Sequence, residues 1–251
     1  MIQLSYSMLC FPVTILKVNG RDSSPRAVVT LNTEDDFQSD FLGQDAVIFD
    51  DLCNKALSRT TGSPVTPIIM FLNNIPMAAL NPIAEMKGKI MIEPSVVCAT
   101  TNVKDLQSNQ YSNEPLPINR RFEVTITPVV KPQYRKEGTT MLDSNKIKHM
   151  AKMNFPNHST YTVEEPYYRE KQGEKKKAGT TQAIEFKPRM FRGQPLINVE
   201  IDTLLEFLKE DSREHFENQR NFVEGQEALV NMPLCDHDRP VSMCSDCILR
   251  S

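Results

Sequence analysis

AVIFDD, residues 46–51, sets an aliphatic run and a Phe directly before two adjacent acids, Asp50 and Asp51. A short apolar run ending in polar residues reads as a buried strand. Two like charges closing it have two readings. They are a polar stop on that strand, or a pair that holds a metal ion and a water. In the second reading the strand delivers both acids to the carboxyl edge of a parallel sheet, where open α/β sheets bind ligands. Mg²⁺ takes hard oxygen ligands and keeps most of its waters, so one acid, Asp50, can hold it. The other, Asp51, can then orient or deprotonate a water attacking a γ-phosphate. This is the Walker B arrangement.

The flanking sequence supplies the rest of a sheet. VVTL (28–31) and SVVCATTN (95–102) read as further strands, and FEVTITPVV (122–130) is rich in β-branched residues. PVTPIIMFLNNI (64–75) has helical apolar spacing, with Pro67 near its first turn. Apolar strands separated by helical segments predict an α/β sheet with helices on its faces. Residues 136–195 are polar, basic in places and weakly patterned, and are expected to form a connector or insertion. Its run Lys175, Lys176, Lys177 suits a solvated loop, with RNA contact as the alternative. Over residues 198–223 an apolar stripe at 201, 204, 205, 208, 216, 222 and 223 predicts an amphipathic helix. The expected organisation is a core over 1–135, a connector over 136–195 and a helical tail over 196–251.

Bulk composition sets limits. The chain has 251 residues and a net charge of −3, so any nucleic-acid contact must use a local patch. No apolar run approaches the roughly 20 residues that span a bilayer. Cys10, Cys53 and Cys98 sit singly in apolar contexts and read as small core residues. The remaining three of six Cys crowd into the C-terminal tail beside a His, a usage that fits a reducing compartment and not a disulfide framework.

Three more features extend the first. Asn102 ends the strand SVVCATTN, where an amide can hydrogen-bond a γ-phosphate and the attacking water without adding charge. Arg120 and Arg121, in PINRRFEV, precede another strand. Paired arginines at a subunit edge can reach a neighbour's γ-phosphate with a planar, delocalised charge; a surface pair capping a strand is the plainer reading. Lys87 and Lys89 flank Gly88 between apolar segments. They suit an ordinary basic turn, or a hairpin projecting charge toward phosphates of a single strand.

Together VIFDDL (47–52), PMAAL…MKGKIMI (76–92), ATTN (99–102) and NRRFEV (119–124) resemble motifs of superfamily 3 RNA helicases. The resemblance is to the 2C-like helicases of picorna-like positive-strand RNA viruses, closest over about residues 10–135. It implies a partial AAA+-like P-loop NTPase sheet flanked by helices. It further implies ATP and Mg²⁺ as cofactors, Asp50 holding Mg²⁺, Asp51 activating water, Asn102 sensing γ-phosphate, and Arg120 and Arg121 acting in trans. Lys87 and Lys89 would meet single-stranded RNA inside a homo-oligomeric ring, a hexamer by the same resemblance. Host cytoplasm, at sites of viral replication, is the expected location.

One departure is large. The family carries a Walker A loop, G-x-x-x-x-G-K-[ST], a few tens of residues before Walker B, and no such run occurs here. MLCFPVTILKVNG (8–20) resembles the helix and turn that follow it. The expectation is a chain lacking Walker A, either a fragment of a longer polyprotein or an incomplete gene product. Without that backbone cradle and its Lys, the β- and γ-phosphates lose their main binding site. The alternative to a helicase portion is a catalytically dead fragment that binds RNA or a protein.

The tail LCDHDRPVSMCSDC offers Cys235, His237, Cys244 and Cys247 in a C-x-H, then C-x-x-C, layout. This suits a structural tetrahedral Zn²⁺, with reduced thiols or a redox pair as alternatives.

Overall fold

The computed structural model describes residues 3–55, 62–73, 75–112, 115–148, 157–168, 184–231 and 235–237, with the backbone alone at 3–9, 168, 229 and 230. The chain separates into two compact units, Met1–Leu208 and Lys209–Ser251.

The first unit opens with α1 (Gln3–Val18). Its end is fixed by Asn19, whose side-chain amide donates to the Ile15 carbonyl at 2.8 Å. Gly20 then adopts φ +68°, a left-handed conformation that costs Gly nothing. Three parallel strands follow, in the order β1 (Val28–Leu31), β2 (Ala46–Phe49), β3 (Val96–Ala99). The register pairs Leu31 with Phe49 and Phe49 with Ala99, so all three strands stop at one level. Every residue of the central strand β2 is buried, as expected for a strand covered on both faces. Helix α1 packs against β2 and β3.

Val47 and Phe49, two residues apart, share one face of β2. They pack with Leu31, Phe41, Ala79, Ile92 and Phe71, the last from α2 (Val65–Phe71). Phe71 is the centre of this cluster. Its ring meets Phe41 edge-on at 5.1 Å and Phe49 edge-on at 5.4 Å. Phe41 comes from the acidic segment between β1 and β2, so that loop also supplies a core anchor. A second cluster joins Leu52, Cys53, Val65, Ile68, Leu106 and Ile118. It holds two short helices, α3 (Ser108–Tyr111) and α4 (Leu116–Asn119), under the strand tips.

A second sheet is antiparallel, in the order β4 (Thr125–Val130), β5 (Ser159–Tyr168), β6 (Ile184–Pro188). Strands β5 and β6 arise within the stretch 136–195, expected to be a polar connector. Their polarity has a physical reason: Glu165 of β5 pairs with Lys187 at 2.7 Å and with Arg189 at 3.1 Å, so charge lies on a half-exposed sheet face. The small hairpin β7 (Met190–Phe191) to β8 (Gln194–Pro195) turns at Arg192 and Gly193, both with positive φ, the type that matches strand twist. Helix α5 (Ile201–Val230) begins here. Leu204, Phe207 and Leu208 bury against Tyr161, Val163 and Leu196, and Phe11 of α1 packs on the same cluster. The long helix predicted from the apolar stripe is present, and within Lys209–Ser251 its stripe residues Phe222 and Val223 are exposed. Lys175, Lys176 and Lys177 lie outside the described residues.

The aromatic triad makes a stability prediction. Truncating Phe41, fully buried, to Ala should cost about 3–5 kcal/mol by lost transfer energy and a residual cavity. Phe37→Ala, at a position 46% exposed, should shift stability by no more than about 0.5 kcal/mol. Urea unfolding of the two variants measures the contrast; equal losses would remove Phe41 from the core.

Candidate nucleotide half-site at the tips of β2 and β3

The parallel pairing of β2 and β3 continues past the strand ends. Thr100 N–H donates to the Phe49 carbonyl at 2.9 Å, and Leu52 N–H donates to the Thr100 carbonyl at 2.7 Å. Between these bonds the chain must reverse sharply, and it does so with Asp51 at φ 55° and Cys53 at φ 57°. Left-handed backbone is tolerated by Asp and disfavoured for Cys, so the turn stores strain. What holds it is burial of Leu52, which is fully enclosed, and of Cys53.

Asp50 and Asp51 therefore stand exposed on a rigid turn. The Thr100 hydroxyl sits between them. It donates to Asp50 Oδ1 at 2.7 Å and accepts the Asp51 backbone N–H at 2.6 Å. One side chain thus fixes the first carboxylate and the backbone of the second acid. Asn102 completes the group, its Nδ2 lying 3.5 Å from Asp51 Oδ1, at the outer limit of a hydrogen bond. Its backbone N–H donates to Asn54 Oδ1 at 2.9 Å. Among the described residues the buried Nδ2 of Asn54 has no partner. The structure so gathers Asp50, Asp51 and Asn102, with Thr100 and Asn54 as supports that sequence reading missed. The only signal for them is polarity at the strand tips.

The donor set suits a hard cation. Asp50 offers a carboxylate anchored through one oxygen, beside a second carboxylate and a neutral amide. The thiols nearby do not compete: burial, with the Asp105 carboxylate, pushes Cys53 up to about 12, and burial pushes Cys98 up to about 12. Both remain neutral thiols near pH 7, as expected of core cysteines.

The arginine pair stands apart from the acids. Asn119, buried at the end of α4, donates through Nδ2 to Ser108 Oγ at 2.7 Å and to the carbonyls of Asp105 and Pro115, both at 3.2 Å. It ties α4 to the loop that follows Asn102. Arg120 is exposed. Arg121, just past α4, is half-buried and donates through Nη1 back to the Pro117 carbonyl of that helix. Its Nε is buried with no partner among the described residues. The two arginines are therefore not equivalent. Lys104, just beyond Asn102, pairs with Glu164 of β5 and lies 4.6 Å from the Phe186 ring centroid, pinning the loop to the second sheet.

Lys87 and Lys89 lie exposed at the tip of an excursion closed by the Ala78–Met91 bridge. Ala79 N–H to Ile90 carbonyl and Ile92 N–H to Met77 carbonyl, both 2.8 Å, form its base. Gly88, at φ +71°, makes the turn between the lysines. Gln38, buried, exchanges hydrogen bonds with the Leu80 backbone, both at 2.9 Å, and steadies the excursion.

In the C-terminal unit, Cys235 Sγ lies 3.7 Å from His237 Nδ1. A tetrahedral Zn²⁺ would set its sulfur and nitrogen ligands about 3.5 Å apart. Cys244 and Cys247 lie outside the described residues, and among the described residues no three His, Cys, Asp or Glu side chains gather as a metal site. No described helix is long and apolar enough to cross a membrane.

The Thr100 bridge has a measurable consequence. Thr100→Val keeps the shape but removes the partner of the Asp51 N–H and of the Asp50 carboxylate, both open to water, and should cost about 0.5–1.5 kcal/mol. Thr100→Ser should recover most of that loss. Denaturant unfolding checks both; a Val variant as stable as the parent would remove the hydroxyl from its bridging role.

No curated protein gives a significant match to the chain. A family model described as RNA helicase matches residues 7–103, from within α1 to just past Asn102. Asp50, Asp51, Lys87, Lys89, Thr100 and Asn102 all fall within that span. Over residues 7–103 the chain is therefore similar to the RNA helicase family, whose viral members its motifs resemble.

Proposed function

We propose that this chain carries the Walker B and sensor half of a viral RNA helicase that couples ATP hydrolysis to movement on RNA during genome replication. The observation that supports it most is the Thr100-centred cluster of Asp50, Asp51 and Asn102 at the tips of adjacent parallel strands. In this reading Asp50 holds Mg²⁺, which when bound offsets charge on the transferring phosphate. Asp51 takes a proton from the attacking water, and Asn102 positions that water and the γ-phosphate. Arg120, exposed at the end of α4, is the better of the pair to reach a neighbouring subunit's nucleotide in a ring. Arg121, bound to Pro117, holds α4 in shape for it. Lys87 and Lys89, at the tip of a closed excursion, grip backbone phosphates of single-stranded RNA. Cys235 and His237, with Cys244 and Cys247, hold a structural Zn²⁺. The site of action is the host cytoplasm, where viral RNA is copied.

The absence of G-x-x-x-x-G-K-[ST] from the 251 residues supports a second reading, in which the chain itself only binds RNA or a protein. Phosphate release separates the two. The chain alone should hydrolyse ATP no faster than buffer. The same chain with a Walker A strand and loop joined upstream should show Mg²⁺-dependent turnover, and Asp51→Asn should lower it by roughly 100-fold or more. Turnover that is indifferent to Asp51 would overturn the helicase reading. For the tail, metal analysis of the purified protein should find one zinc per chain, lost in Cys247→Ser. Unchanged zinc content in that variant would reject the ligand set.

A further inference from the structure

Past β4 the chain becomes locally basic. Residues 131–148 hold five basic and two acidic side chains, in a protein whose net charge is −3. They fold into a compact hairpin. A 3₁₀ turn over Pro132–Tyr134 leads in, and Arg135 bridges Leu142 antiparallel. Lys136 N–H donates to the Met141 carbonyl at 2.9 Å, and Asp143 N–H to the Tyr134 carbonyl at 2.8 Å. Gly138, at φ +68°, makes the tip turn possible. Ile147 is buried and anchors the segment.

Beside this hairpin lies an open concavity of about 550 Å³, lined by Arg135, Lys136, Lys146, Thr140, Gly138 and the single acid Glu137, among others. Its cations are held in place by the backbone. Arg135 donates through Nε to the Val130 carbonyl at 2.7 Å, which fixes the guanidinium plane and leaves the terminal amino groups as donors. Lys146 Nζ donates to the Arg135 carbonyl at 2.7 Å and closes the base. Asp143, the other acid, is not among the lining residues; its carboxylate accepts the Asn145 N–H at 2.9 Å in a local turn. Lys131, which leads into the hairpin, is already paired with Glu200 at 2.7 Å. The concavity is thus lined by one planar fork, the ammonium groups of Lys136 and Lys146, the hydroxyls of Thr139 and Thr140, and one carboxylate, Glu137, against three cations. A fixed guanidinium suits a phosphate oxygen pair, and a neighbouring ammonium suits the next charge along a polyanion.

We propose that this hairpin is a phosphate-binding surface for the backbone of single-stranded RNA, separate from the Lys87 and Lys89 excursion. The proposal rests on the RNA-binding part of the reading above. Phosphate contact of this kind tracks the backbone without reading sequence.

The test is fluorescence anisotropy of the full chain with a labelled oligouridylate across a salt series. Lys136→Glu, at an exposed side chain, should weaken binding roughly five- to tenfold and lower the salt slope by about 1. Arg135→Gln should weaken it further, and Thr140→Val should have the smallest effect. A Lys87→Glu, Lys89→Glu variant serves as reference. If only that reference variant loses affinity, the hairpin proposal fails and the helicase reading stands. If the parent chain binds no oligouridylate at all, both fail. If heparin binds through Lys136 while oligouridylate does not, the surface recognises polyanions of another kind and the proposal is overturned. Circular dichroism melts of Lys136→Glu should match the parent, since the side chain supports nothing in the fold.

Discussion

The Thr100 hydroxyl joins two strands beyond the point where their ladder ends, and the geometry of the candidate site follows from that join. Without it, the Asp50 carboxylate and the Asp51 N–H would lose their shared partner, and only the backbone bonds and the burial below would hold the turn. With it, one carboxylate oxygen is taken up at 2.7 Å and the next peptide N–H is held at 2.6 Å. The strain of two left-handed residues is then offset by burial of Leu52 and Cys53 below the turn. The acids are exposed, yet nothing beneath them is loose. This is how a site can carry like charges side by side on a rigid support.

That support is built outward in steps. Buried β2 sets the level of the strand tips, and Phe71 clamps β2 to the segment carrying Phe41. Asn54 takes the backbone of Asn102, and Asn119 ties α4 to the loop that follows. A series of amides, exposed at Asn102, half-buried at Asn54 and buried at Asn119, therefore runs from the acid turn to the helix that Arg120 caps. Asn54 accepts from backbone and Asn119 donates to backbone and to Ser108, which fixes their positions, while the Nδ2 of Asn54 has no partner among the described residues. Motion at β3 would be felt at α4 through covalent and hydrogen-bonded neighbours, with no long-range mechanism required.

Much of this was legible in sequence because burial writes a pattern. VVTL, AVIF and the apolar part of SVVCATTN appear as β1, β2 and β3 with nearly the expected bounds, and the stripe from 201 appears as α5. Strands β5 and β6 were not legible. A sheet with one half-exposed face needs no continuous apolar run, and STYTVEEPYY places Glu164 and Glu165 where cations meet them. Nor was the difference between Arg120 and Arg121. It depends on which way a four-residue helix turns, and no periodicity reports that. Thr100 and Asn54 carry no pattern at all, since single polar residues at strand tips look alike until the tips are brought together.

The two basic loops differ in what holds their charges, and that difference bears on how each would work. Lys87 and Lys89 sit at the end of an excursion closed at its base by two backbone bonds, with a positive-φ Gly between them. Such a tip can shift as a unit while its base stays fixed, which suits a contact that must be made and released. Arg135 is instead bonded to the Val130 carbonyl at the end of β4, and Lys146 to the Arg135 carbonyl. Their side-chain entropy is already lost, so an anion placed there orders less on binding. A fixed cationic surface of this kind suits retention, not stepping. If RNA meets both as proposed, local bonding sets them different tasks: the Gly88 tip is joined to its domain only at its base, and the hairpin cations are held in place.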